Sequence, residues 1–95
     1  MIEQLICYLG AKPEECFFWA THAGAELDFL LVRGRLRWGF EIKRTSAPQV
    51  TPSMRSALTD VDLHRLDVIH AGAHTFPLAP KIRAVAVTRL LQDMD

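Results

Sequence analysis

Asp28 and the triplet Glu41-Ile42-Lys43, with Glu26 close by in the chain, are the residues whose types and spacing could do chemistry. Two carboxylates on neighbouring strands can share a hard divalent cation such as Mg²⁺ or Mn²⁺, which prefers oxygen ligands and keeps waters for a substrate phosphate. A lysine beside them can hold an attacking water or offset the charge that builds on phosphorus. A plainer reading of Glu-x-Lys is a solvated strand face with cross-strand ion pairs, which accounts for Lys43. It accounts poorly for Glu26 set against Glu41, because like charges directly opposite repel unless a cation or lysine lies between them.

The elements that must position these groups follow from periodicity. Ala25 to Arg33 and Arg35 to Arg44 read as a hairpin, after an aromatic-rich strand over 16–21 and a small-residue turn at Thr21 to Gly24. A two-residue loop at Arg33-Gly34 sets Leu31 against Leu36, Phe29 against Trp38 and Leu27 against Phe40, an apolar face. The other face then pairs Glu26 with Glu41, Asp28 with Gly39, Leu30 with Arg37 and Val32 with Arg35, with Lys43 two residues beyond Glu41. Gly39 opposite Asp28 leaves space there.

Ile2, Leu5, Ile6 and Leu9 recur at helical spacing and Gly10 suits a helix C-terminus, but no capping residue precedes Ile2, so the helix is expected to continue upstream. Thr45 to Val50 is a loop. Thr51 can cap a helix with Pro52 in its first turn, and Met54, Ala57, Leu58 and Val61 give it one apolar stripe. Leu66 to His70 and Ile82 to Val87 read as strands joined by a turn-rich connection over 71–80, and 88–94 as a short helix. The passage from Phe40 to Ile69 by way of a helix implies a right-handed crossover and a parallel pair. The fold class is thus α+β, a small mixed sheet with an α-β-β-β-α-β core.

Ninety-five residues, 49% of them hydrophobic, suit one small domain of limited core and make a homodimer an open expectation. Eleven Lys plus Arg balance eleven Asp plus Glu, so no global field points to a membrane or polyanion. Locally, Arg33, Arg35, Arg37, Lys43, Arg44 and Arg55 face only Glu41 in the segment 33–55. Two cysteines, Cys7 and Cys16, supply no disulfide framework, no apolar run is long enough to span a bilayer, and Glu3 interrupts any secretory pattern. A cytoplasmic protein with reduced cysteines is expected.

Phe18-Trp19-Ala20-Thr21-His22-Ala23-Gly24-Ala25-Glu26-Leu27-Asp28-Phe29 and Gly39-Phe40-Glu41-Ile42-Lys43-Arg44-Thr45-Ser46 resemble the domain of unknown function 4143, the C-terminal part of many bacterial and archaeal AAA-type ATPases. The element order, with Asp on the second strand and Glu-x-Lys on the third, also resembles the restriction-endonuclease-like, PD-(D/E)xK phosphodiesterase fold. That resemblance implies metal ligation by Asp28 and Glu41, catalysis by Asp28, Glu41 and Lys43, and Mg²⁺ or Mn²⁺ as cofactor. It brings in Glu3, the one acid of the first helix, as an additional acid, and Glu26, already beside these residues by register, is another. Leu27 stands where the fold often has Pro. The resemblance further implies an AAA-type ATPase module, upstream or separate, as partner. No G-x-x-x-x-G-K-[ST] phosphate loop occurs in the sequence, so no ATPase activity is expected of this chain.

Arg35, Arg37, Arg44 and Arg55 could follow a DNA backbone beside the metal, or simply neutralise Glu26, Asp28 and Glu41. Phe17, Phe18, Trp19, Phe29, Trp38 and Phe40 read as core, and His22, His64, His70 and His74 as surface or turn residues. Two functions compete: a metal-dependent nuclease-like domain, and a non-catalytic interaction or regulatory module that keeps the fold.

Overall fold

Cys16–Ala20 (β1), Glu26–Arg33 (β2) and Leu36–Ile42 (β3) form an antiparallel meander. The computed structural model describes residues 1–93, and of Leu91 the backbone alone. Pro52–Asp60 (α2) carries the chain across the sheet, so that Arg65–His70 (β4) pairs parallel with β3. Phe76–Ala79 (β5) is a short edge strand antiparallel to Ile82–Ala86 (β6), which itself lies parallel to β4. The strand order is β1-β2-β3-β4-β6-β5, the mixed sheet that the crossover demands.

Helices cover both faces. Ile2–Leu9 (α1) sets Leu5, with Ile2, Ile6 and Leu9, on Phe29, Leu31, Trp38, Phe40, Ile69 and Val85, and Leu90 of the short terminal helix Leu90–Asp93 (α3) joins them. On the other side Met54 and Ala57 of α2 meet Leu27, Leu30, Leu66, Val68 and Ile82. Because β4 is buried on both faces, its apolar residues run without strict alternation. Thr51 caps α2 by accepting the Met54 N–H at 3.2 Å, with Pro52 in the first turn.

Four details depart from expectation, each for a local reason. The β2–β3 loop is Gly34-Arg35, not Arg33-Gly34: Gly34 has φ 60 while Arg35 does not share a positive φ, which suits a turn with glycine as its first central residue. The register therefore moves by two, pairing Phe29 with Phe40, Leu31 with Trp38, Leu30 with Gly39 and Val32 with Arg37 while preserving the faces. Second, β2 bulges: Phe17 pairs with Leu30 but Trp19 with Leu27, so Asp28 and Phe29 share one partner position. The bulge turns Leu27 away from Phe29 and Phe40 into the α2 core. Third, the connection over 71–80 contains β5, whose Pro77 is tolerable because the strand lies at an edge. Fourth, the C-terminal segment is a 3₁₀ turn over Val87–Arg89 followed by α3, and Met94 lies outside the described residues.

The aromatic and histidine expectations also need correction. Phe29, Trp38 and Phe40 are buried and Trp19 packs against the α2 core, but Phe18 is 78% exposed and Phe17 49% on the edge strand β1. His70 is buried at the end of β4, its Nδ1 accepting the Gly72 N–H at 3.0 Å and its Nε2 bonded to the His74 carbonyl at 2.9 Å.

Gly39 marks the tightest part of the α2 core. A Cβ there would lie 2.8 Å from Leu63 Cδ1 and 3.2 Å from both Leu27 Cδ1 and Leu66 Cδ1. Three leucine methyls in a closed core cannot all withdraw, so Gly39→Ala is expected to cost about 1–3 kcal/mol. A lowered urea midpoint at unchanged slope would show it.

Candidate functional site

Glu41 occupies the penultimate position of β3, beside Val68 of β4, and alternation points its side chain to the face that α2 covers. It is 4% exposed, and its Oε2 atom is buried without a hydrogen-bond partner. Lys43 Nζ stands 3.8 Å from that oxygen, too far for a hydrogen bond of ordinary length. Burial pushes the Glu41 carboxyl above its ordinary pKa; Lys43 opposes this, while the charges of Asp28 and Glu26 add to it.

Asp28 comes to the end of β3 through the shifted hairpin register. The pairing ends at Phe29–Phe40, one step short of Asp28 and Glu41, and Gly39 has Leu30 as its partner instead of Asp28. Its Oδ2 accepts the Ile42 N–H at 2.8 Å, fixing the carboxylate against the end of β3. Lys43 is held by its own N–H, which donates to Ile69 O at 2.8 Å, and its half-exposed side chain lies beside Glu41. Glu26 is exposed at the start of β2, where its N–H donates to Ser53 Oγ at 3.0 Å and ties the first turn of α2 to the strand.

Asp28, Glu41 and Lys43 therefore come together, with Glu26 within electrostatic range. Glu3 does not join them: it is exposed on α1, across the sheet from the face of Glu41. Among the described residues, no three His, Cys, Asp or Glu side chains form a group that could hold a metal ion. Two carboxylates suffice for a cation that retains several waters, and the orphaned Glu41 oxygen is the kind of donor such a cation would satisfy.

Arg35, Arg37 and Arg44 divide between the two ends of β3. Arg35 lies in the hairpin turn, and Arg37 donates from Nη1 to Val61 O at 2.8 Å, closing the C-terminus of α2. Arg44 follows Lys43 and, with it, lines a cavity of about 180 Å³ that includes Ile42 and His70. Arg55 is exposed on α2.

One polar cluster carries no sequence motif. Asp67, fully buried on β4, accepts from Trp38 Nε1 at 3.2 Å and from both Nε and Nη2 of Arg83 at 3.2 and 2.9 Å. The available signal was an aspartate alone in the apolar run Leu66 to Ile69, two residues after Arg65.

The profile of the domain of unknown function DUF4143 matches residues 1–90. The chain belongs to the DUF4143 family. Two relatives, uncharacterized proteins of Mycobacterium bovis and Mycobacterium tuberculosis, are each 42% identical to it over 91 residues, 96% of this chain. The DUF4143 chain spans about a fifth of their length, the match covering 20% of each. No solved structure matches it. No helix among the described residues is long and apolar enough to cross a membrane.

Proposed function

We propose that this DUF4143 domain is a nuclease-like phosphodiesterase in which Asp28 and Glu41 hold Mg²⁺ or Mn²⁺ and Lys43 positions the attacking water, working as the C-terminal partner of an AAA-type ATPase module. The observation that carries this reading is the Glu41 carboxylate, buried, without a hydrogen-bond partner at Oε2, and set beside a second carboxylate and a lysine. A fold that gains nothing from such a group would hold an apolar residue there more cheaply. A bound cation would supply charge neutralisation at the phosphate and acidify a coordinated water. Asp28, oriented by the Ile42 N–H, keeps its carboxylate aimed without help from substrate. Lys43, released from Glu41, can reach a non-bridging oxygen or the water. The remaining four-fifths of the relatives' length leaves room for such a module.

The test is hydrolysis of a single-stranded oligonucleotide with Mn²⁺ against EDTA. Turnover by the wild type that needs Mn²⁺, and that Lys43→Ala lowers by about 10²–10³-fold, is the expected result. Equal cleavage by wild type and Lys43→Ala would remove the lysine from the chemistry.

One contact favours a second reading. Lys43 Nζ leans on Glu41, an arrangement that suits a non-catalytic interaction or regulatory module with a self-neutralised acidic face. Such a module would show no Mn²⁺-dependent turnover in the same assay.

A further inference from the structure

On the sheet face opposite Glu41, three cationic side chains gather where one carboxylate already has what it needs. Both oxygens of Asp67 are satisfied by Trp38 and by the fork of Arg83. Arg65 nonetheless lies against the same group, its Nε 3.3 Å from Oδ1 but making no hydrogen bond, so this buried donor is left unpaired. Its guanidinium sits 4.0 Å above the Trp38 ring, whose other neighbour is Phe40 at 4.9 Å between centroids. Stacking of this kind fixes the plane of the guanidinium while leaving its side chain 32% accessible.

Arg65 forms the common wall of two cavities. One, of about 310 Å³, is also lined by Arg83, Lys81 and Thr75; the other, of about 380 Å³, by Trp38, Leu36 and His64. Among the described residues, the only acid besides Asp67 that bonds a residue lining these cavities is Asp93, which accepts from Thr75 and is already paired with Arg89 at 2.9 Å. Among the described residues, Arg65, Arg83, Lys81 and Arg89 thus meet two carboxylates. A second arginine held beside a carboxylate that is already neutralised is an expensive arrangement for stability alone, and burial lowers the Arg65 pKa accordingly.

We propose that Arg65, Arg83 and Lys81 form a binding site for a dianionic phosphate group, distinct from the acidic site on the other face. A phosphate monoester offers three terminal oxygens to the two guanidiniums and the ammonium that line one cavity. A carboxylate, with two oxygens and one charge, would leave one cation unanswered.

The Trp38 indole N–H, bonded to Asp67, reports on the site. In ¹H–¹⁵N spectra of the whole chain, sodium phosphate titrated at constant ionic strength should shift that resonance saturably, with a dissociation constant on the order of millimolar. Arg65→Gln, which leaves the Arg83 fork on Asp67 intact, should abolish the saturable shift, and Lys81→Gln, an exposed turn position, should weaken it by about three- to tenfold. Adenosine 5′-monophosphate binding about tenfold more tightly than inorganic phosphate would identify an organic monoester as the natural source; equal binding would identify free phosphate. If Arg65→Gln does not fold, the Lys81→Gln titration decides. No saturation, the same shift with sodium chloride, or binding unchanged in folded Arg65→Gln or in Lys81→Gln would overturn the site and leave a purely structural cluster.

Discussion

Asp67→Ala is expected to destabilise the domain by about 3–5 kcal/mol, a large share of the 5–15 kcal/mol that holds a typical domain together. The side chain is fully buried and accepts three hydrogen bonds, two from Arg83 and one from the Trp38 indole. Its removal leaves the two guanidiniums of Arg65 and Arg83 facing each other without the intervening negative charge, along with an indole N–H that has lost its acceptor. Because Trp38 packs on Phe40 and Arg65 packs on Trp38, the disturbance reaches the core under α1. Urea unfolding of Asp67→Ala and Arg83→Met, singly and together, checks the cause. If the unpaired charge dominates, the double variant is more stable than Asp67→Ala alone.

Glu41→Gln should act in the opposite sense on stability while abolishing activity. Burial raises the Glu41 pKa in the folded chain above its unfolded value, so between those two values the folded state binds more protons than the unfolded one. Wild-type stability therefore falls as the pH rises through that window and stays lowered above it. Glutamine removes this titration, and near pH 8 the variant should be more stable on the order of 1 kcal/mol, with the acidic-range slope flattened. Mn²⁺-dependent hydrolysis should fall by about 10³-fold or more in the same variant, because an amide cannot supply the ligand charge. Melting curves from pH 4 to 8, run beside the oligonucleotide assay, read both effects. A variant that loses stability and activity together would indicate a structural role for Glu41.

The hydrophobic pattern made the architecture legible because a sheet covered on both faces leaves strong marks: α1 and α2 stripes at helical spacing, a meander, and a crossover that can only be parallel. It also selected the faces of β2 and β3 correctly for Phe29, Leu31, Trp38 and Phe40. What it could not fix was a shift by two, which leaves every face unchanged; the backbone sign at Gly34 decides that. The bulge at Asp28 and Phe29 was likewise invisible, since an extra residue in a strand is recognised only against its partner. The shifted register is what brings Asp28 to the end of β3, where it accepts the Ile42 N–H. The edge strand β5 was concealed by Pro77 and Pro80, and the burial of His70 by the small residues that follow it. The Asp67 cluster joins residues from β3, β4 and β6, and pairing across strands so far apart in the chain has no local signature.

The central claim, a divalent cation held by Asp28 and Glu41, is tested most directly by thermal melting of the wild type and of Asp28→Asn with Glu41→Gln, each in EDTA, Mg²⁺ and Mn²⁺. A ligand bound only by the native state adds about 2.7 kcal/mol at one hundred times its dissociation constant, a rise of several degrees for a domain of this size. The account predicts that rise in the wild type and its absence in the double variant. Melting temperatures unmoved by metal in both proteins, or raised equally in both, would contradict it.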